Sequence, residues 1–160
     1  MSTATLTTKN PRPWLIYAAF IALTVIVGGL IGTQNLPGEW YDGLNKPPFN
    51  PPNWIFGPVW TTLYVLIGIA GARIFLIDRN STAMKIWIAQ MLLNWIWSPI
   101  WFGAQLIWPA FLVILAILIS IIVFMATARP IDKLSTWLFA PYLAWVSFAT
   151  LLNLSIGILN

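Results

Sequence analysis

A chain of 160 residues that is 59% hydrophobic and only 8% charged, with mean hydropathy +0.82, has the composition of an integral membrane protein, because soluble domains carry about 25% charged residues. It contains neither cysteine nor histidine, which excludes disulfides, Cys/His zinc sites, imidazole acid–base catalysis and a histidine ligand for haem. The net charge of +4 is scattered without a basic run, so nucleic acid is not an expected partner.

The first residues, MSTATLTTKNPRPW, are polar and lack a small-residue cleavage site; residues 1–13 read as a tail leading into the first span, not as a targeting segment. A bilayer core of about 30 Å needs roughly 20 apolar residues as a helix, and the uncharged run from Trp14 to Thr33 meets that need. A long connection, 34–57, follows and carries KPPFNPPNWIFGPVW at 46–60. Pro47, Pro48, Pro51 and Pro52 fix φ and carry no N–H, which leaves fewer donors to satisfy near lipid and favours a preformed lid. The second span is expected to begin at Pro58, where a first-turn proline is tolerated, with 53–57 as a separate turn. It runs to Ile77, with Arg73 close enough to its end to snorkel.

From Ile86 to Ala128 no residue is charged. As one helix that run would be about 65 Å long, roughly two bilayer cores, so it must fold back on itself. The break is placed in FGAQLIWP, with Gly103 ending one helix and Pro109 beginning the next. Residues 134–159 supply the last span. The expected fold is an all-α integral membrane protein, a single five-helix domain over 14–160. Its spans are about 14–33, 58–77, 86–103, 109–128 and 134–159. Lys9, Arg12, Arg73, Arg79, Lys85, Arg129 and Lys133 then lie on one side and only Lys46 on the other. The positive-inside rule puts the N-terminus in the cytoplasm, with 34–57 and the C-terminus opposite.

No Asp, Glu, Lys or Arg occupies a span centre, which argues against an ion-coupled pump. Glu39, Asp42, Asp78 and Asp132 fall in connections on opposite faces, so no carboxylate pair forms and neither a catalytic residue nor a metal site is assigned. The third helix instead carries Gln90, Asn94 and Ser98 at four-residue spacing, one polar stripe. It serves either helix–helix hydrogen bonding or a ligand between helices. Tyr142, Trp145, Ala149 and Asn153 share a face of the last helix in the same way, and Ala149 leaves space beside two aromatics. Of the eleven tryptophans, Trp14, Trp54, Trp108 and Trp137 lie near span ends as interfacial anchors, and Trp87 is a further candidate. Trp60, Trp95, Trp97, Trp101 and Trp145 lie deeper, where they either pack or line a cavity for a flat apolar ligand. Gly28-x-x-x-Gly32 and Gly68-x-x-x-Ala72 permit close helix contact, within one chain or between two.

Three blocks, WYDGLNKPPFNPPNWIFGPVWTTLY, LLNWIWSPIWFGAQ and PYLAWVSFATLLN, occur in order and resemble the signatures of the tryptophan-rich sensory protein family (TspO/MBR), also called translocator protein or peripheral benzodiazepine receptor. The resemblance covers nearly all of 14–159. It implies a five-helix bundle, usually a homodimer, that binds protoporphyrin IX, haem precursors and synthetic isoquinoline carboxamide or benzodiazepine ligands, with no required cofactor. Tetrapyrrole transport, stress-linked regulation and light-dependent porphyrin breakdown are activities it brings with it, and an adaptor role for another membrane protein is a further alternative. Family ligand-site positions fall on Trp40, Trp60, Asn94, Trp145 and Ala149, with Trp40 and Trp145 expected to flank the ring and Trp60 and Asn94 to offer hydrogen bonds. Gln90, Trp97, Ser98, Tyr142 and Asn153 are further candidates for the cavity lining. Lys46 is placed to meet either a propionate carboxylate or a lipid phosphate. One departure concerns cholesterol: the chain ends LLNLSIGILN, with Leu154 in place of the tyrosine of the animal pattern and no basic residue after it. Cholesterol binding by that route is not expected.

Overall fold

The computed structural model of the chain describes residues 12–160, so most of the polar tail expected at 1–13 lies outside the described residues. The regular elements among the described residues are helices: α1 (Pro13–Gln34), α2 (Glu39–Gly43), α3 (Phe56–Asp78), α4 (Thr82–Ser98), α5 (Ile107–Ala128), α6 (Lys133–Leu138) and α7 (Ala140–Leu159). Among the described residues, four stretches are long and apolar enough to cross a membrane: Pro13–Gln34, Asn53–Asp78, Ile107–Ala128 and Lys133–Leu159. The fifth is α4, whose 17 residues are extended by a π-helical turn, Pro99–Gly103.

Proline sets most of the helix ends. Pro13 opens α1 at its first position. A 3₁₀ turn at Asn53–Ile55 runs into α3 at Phe56, two residues before the expected start at Pro58. Pro109 likewise sits inside the first turn of α5, which begins at Ile107. Both positions are harmless, because the first four N–H groups of a helix have no partner within it. Pro99 acts differently. It offers no N–H to the carbonyl four residues before it, and the stretch that it opens closes as a π turn, the Ala104 N–H donating to the Pro99 carbonyl at 2.7 Å, five residues back. Gln105 then turns the chain through a left-handed conformation, φ 59°. Gly103 is needed for space rather than for the turn, because a Cβ there would stand 2.7 Å from Asn35 Oδ1 at the end of α1.

The stretch 134–159 is not one uninterrupted helix. It breaks at Phe139 between α6 and α7, two residues before Pro141, while Phe139 keeps near-helical backbone angles, so the chain continues without reversing. Ser81 and Asp132 cap α4 and α6, accepting from the Met84 and Ser135 N–H groups at 3.2 and 2.9 Å. Arg73 does not simply snorkel. It forms a bidentate pair with Asp132, at 2.7 and 3.0 Å, that ties α3 to the start of α6.

The main core alternates by helical spacing: Leu63, Ile67 and Ile74 of α3, Met84, Trp87 and Met91 of α4, Ile114, Ile117 and Ile121 of α5, and Tyr142 and Val146 of α7. Trp87 is a core residue, not an anchor. It is 4% exposed, its indole N–H donates to the Ile67 carbonyl at 3.0 Å, and Gly71 makes room for its ring. Trp14, Trp54, Trp108 and Trp137 are all exposed, Trp54 and Trp137 by more than 70%. α1 packs chiefly on α3 and does so within one chain. A Cβ on Gly28 would meet the Tyr64 ring, a Cβ on Gly68 would stand 2.8 Å from Ile21 Cα, and the Thr24 hydroxyl donates to the Tyr64 carbonyl at 2.8 Å.

Candidate ligand cavity

α1, α3, α4 and α7 do not close on one another near the 35–57 connection, and a cavity of about 260 Å³ lies between them. Its α3 wall is Trp60 and Tyr64, one turn apart; its α4 wall is Asn94, Trp97 and Ser98; Trp145 and Ala149 face it from α7. On α1 the wall combines bare backbone at Gly28, Gly29 and Gly32 with Val25, Ile31 and Thr33. A Cβ on Gly29 or Gly32 would touch nothing within 4 Å, so these glycines keep volume open.

One hydrogen-bonded chain supports this wall. The Tyr64 hydroxyl donates to Asn94 Oδ1 at 3.0 Å, Asn94 Nδ2 donates to the Tyr142 hydroxyl at 2.9 Å, and that hydroxyl donates to Gln90 Oε1 at 3.1 Å. All donors run in one sense from the cavity into the core, the arrangement in which neighbouring bonds polarise one another. The amide orientation of Asn94 is thereby fixed, its oxygen and one N–H are engaged, and one N–H remains. The stripe therefore performs the helix-joining role and lines the cavity at the same time.

The aromatic rings interlock around this chain. Trp60 lies 5.5 Å from Tyr64 and 6.2 Å from Tyr142, centroid to centroid. Trp145 is held edge-on by Phe56 at 5.9 Å, and Trp97 stacks on Trp101 at 5.9 Å with planes 10° apart. The indole nitrogens of Trp97 and Trp145, two of the lining residues, are buried without a hydrogen-bond partner.

Of the residues singled out from sequence, Trp60, Asn94, Trp97, Ser98, Trp145 and Ala149 meet at the cavity. Gln90 and Tyr142 stand behind Asn94. Asn153 is buried with its side-chain amide unpartnered and does not line the cavity. Trp40 and Lys46 are elsewhere. Trp40 packs edge-on against Trp101 at 5.8 Å, and the Lys46 ammonium donates to the Asp42 carbonyl at 3.0 Å while sitting 4.8 Å above the Tyr41 ring. Pro47, Pro48, Pro51 and Pro52 also stay off the cavity wall, to which the connection contributes Asn35, Leu36 and Pro37 before α3 begins. Tyr64, the three glycines and Phe56 join the site without having been singled out for it. Tyr64 had a signal, since it follows Trp60 by four residues and so shares its face.

The connection itself is well anchored. Asn45 and Asn160 exchange bonds at 2.9 and 3.0 Å, tying it to the end of α7. The Tyr41 hydroxyl donates to Asn50 Oδ1 at 2.8 Å, and burial pushes its pKa up to about 12, so this donor persists at physiological pH.

The model of the TspO/MBR family matches residues 14–159. The tryptophan-rich sensory protein of Cereibacter sphaeroides is 35% identical over 150 residues, covering 92% of each chain. The translocator protein of Homo sapiens is 32% identical over 149 residues, 88% of each chain, and the tryptophan-rich protein TspO of Archaeoglobus fulgidus is 35% identical over 151 residues, 91% of this chain and 96% of its own. With five apolar rods, an aromatic cavity and a family match over almost its whole length, the chain is a multi-pass membrane protein of the TspO/MBR family.

Proposed function

We propose that this protein binds tetrapyrroles such as protoporphyrin IX, and related flat apolar molecules, in the cavity between α1, α3, α4 and α7. The observation that carries the reading is the lining: Trp60, Tyr64, Trp97 and Trp145 surround a space to which the buried Asn94 amide and two unpartnered indole N–H groups bring polar atoms. Apolar walls with a few fixed polar groups are how small planar ligands are held. At about 260 Å³ the cavity lies just under the roughly 300–1,000 Å³ usual for such pockets. A macrocycle therefore needs a wall to yield. α1 is the wall suited to that, because only Thr24 and Gly28 of its 22 residues are buried. The 35–57 connection acts as cover, the N-terminus faces the cytoplasm, and the chain works as a homodimer; these three features accompany the reading.

Titration with protoporphyrin IX in detergent, followed by tryptophan fluorescence, tests the assignment. Saturable quenching is expected, and the Asn94→Ala/Trp145→Phe double variant is expected to bind at least about tenfold more weakly, a loss of roughly 1.4 kcal/mol. Unchanged affinity in the double variant would remove the ligand from this cavity.

A further inference from the structure

The cavity has two flanks, and they differ in how firmly they are closed. Toward the connection, the Asn45–Asn160 exchange, the Tyr41–Asn50 bond and the packing of Trp40 and Tyr41 on Trp101 hold the cover to α7 and to the turn after α4. Between the end of α1 and the start of α3 no side-chain hydrogen bond spans the seam among the described residues. Cavity-lining Gly29, Thr33, Gly57 and Thr61 are themselves exposed on the outside of the bundle, and Leu36 is 67% exposed. The same residues thus face the cavity and the surroundings.

The chemistry of this opening suits hydrocarbon. The Thr33 hydroxyl donates to the Leu30 carbonyl at 3.0 Å and the Thr61 hydroxyl to the Gly57 carbonyl at 2.9 Å, so neither offers a free donor outward. The exposed side chains beside it, Ile26, Leu30 and Trp54, are large and apolar. A Cβ on Gly29, Gly32 or Gly57 would meet nothing within 4 Å, so the seam is unfilled by side chains. In a membrane-spanning bundle such a surface is wetted by lipid tails.

We propose that the cavity is loaded sideways from the bilayer, through a portal between the last turns of α1 and the first turns of α3. Its ligands are then molecules dissolved in the membrane, and the 35–57 connection is a fixed roof rather than the door. This rests on the ligand-binding reading of the cavity but is tested without a porphyrin.

The absence of cysteine from the sequence makes the test direct. Ala149→Cys places one thiol on the cavity wall of the protein in phosphatidylcholine nanodiscs. It is treated with neutral N-cyclohexylmaleimide or with a negatively charged methanethiosulfonate, each rate being normalised to free cysteine. The neutral, bilayer-soluble reagent is expected to react at least about tenfold faster. Adding Thr61→Trp, or separately Thr33→Trp, is expected to slow it by about tenfold. Adding Asn160→Ala, which loosens the roof, is expected to leave it unchanged. The portal is overturned by equal labelling with the charged reagent, by a thiol protected from both reagents, or by acceleration with Asn160→Ala while the tryptophan variants have no effect. If the labelling follows expectation and protoporphyrin IX fails to bind, the porphyrin reading falls and the portal stands.

Discussion

Gly28 and Gly29 are neighbours with opposite duties. A Cβ on Gly28 would lie 2.3 Å from the Tyr64 ring, whereas one on Gly29 would touch nothing. The Tyr64 ring cannot simply step aside, because its hydroxyl donates to Asn94. Gly28→Ala is therefore expected to cost about 1–3 kcal/mol, as overpacking does, and to weaken protoporphyrin IX binding by disturbing Tyr64. Gly29→Ala should leave the melting temperature within about 1 °C or raise it slightly, since alanine favours a helix by up to about 1 kcal/mol over glycine. Thermal melts of the two variants in the same detergent decide this, and equal destabilisation would contradict the packing described. The same scale shows how far side chains can be placed from sequence. Gln90, Asn94 and Tyr142 join one network because helical spacing dictates their faces. Trp40 and Lys46 sit in a connection without periodicity, where nothing in the sequence indicates that one turns to Trp101 and the other to Tyr41.

Helix ends show the next level of legibility. The fold-back within 86–128 follows from length alone, and the break does fall in FGAQLIWP, yet the device that makes it is a π turn at Pro99. Prolines 58 and 109 mark first turns, but a proline is tolerated at more than one position there, which accounts for the two-residue displacements. Least visible was the junction of α3 with α6, since Arg73 and Asp132 are 59 residues apart. The Arg73 guanidinium holds the Asp132 carboxyl well below the usual carboxylate range, with the Ser135 hydroxyl and N–H adding to it. A carboxyl with a lowered folded-state pKa contributes stability above its unfolded value, near 3.9, and loses it as pH falls toward the folded value. Asp132→Asn should accordingly lose roughly 1.5–3 kcal/mol at pH 7, as for hydrogen bonds to charged groups. The difference from the unsubstituted protein should shrink as the pH is lowered below about 4. Thermal melts of both proteins between pH 7 and pH 3 measure this, and a gap that stayed constant with pH would mean that the carboxylate charge is not the source.

Across the whole molecule, the bundle is unevenly consolidated. α3, α4, α5 and α7 share the main core, a smaller cluster of Tyr41, Trp101, Ala110, Leu152 and Ile156 sits toward the connection, and α1 is held largely by its seam with α3. The cavity lies where α1 meets the rest, so an occupant adds contacts to a helix of which only Thr24 and Gly28 are buried. A ligand that binds the folded chain alone stabilises it by about 2.7 kcal/mol at one hundred times its dissociation constant. Protoporphyrin IX is thus expected to raise the melting temperature in a concentration-dependent way. Gly32→Leu separates this effect from ordinary packing. The added side chain starts in open space, so it should raise the melting temperature of the unliganded protein while filling the volume that the ligand needs. The expected pattern is a more stable variant with little or no porphyrin-dependent shift. A variant whose shift matched that of the unsubstituted protein would place the ligand outside the cavity, and a variant that lost stability without ligand would show that the space beside Gly32 is already filled. The expected pattern marks the site as one that folding leaves empty at a cost in stability, because an unfilled apolar volume forfeits the contacts its walls would otherwise make.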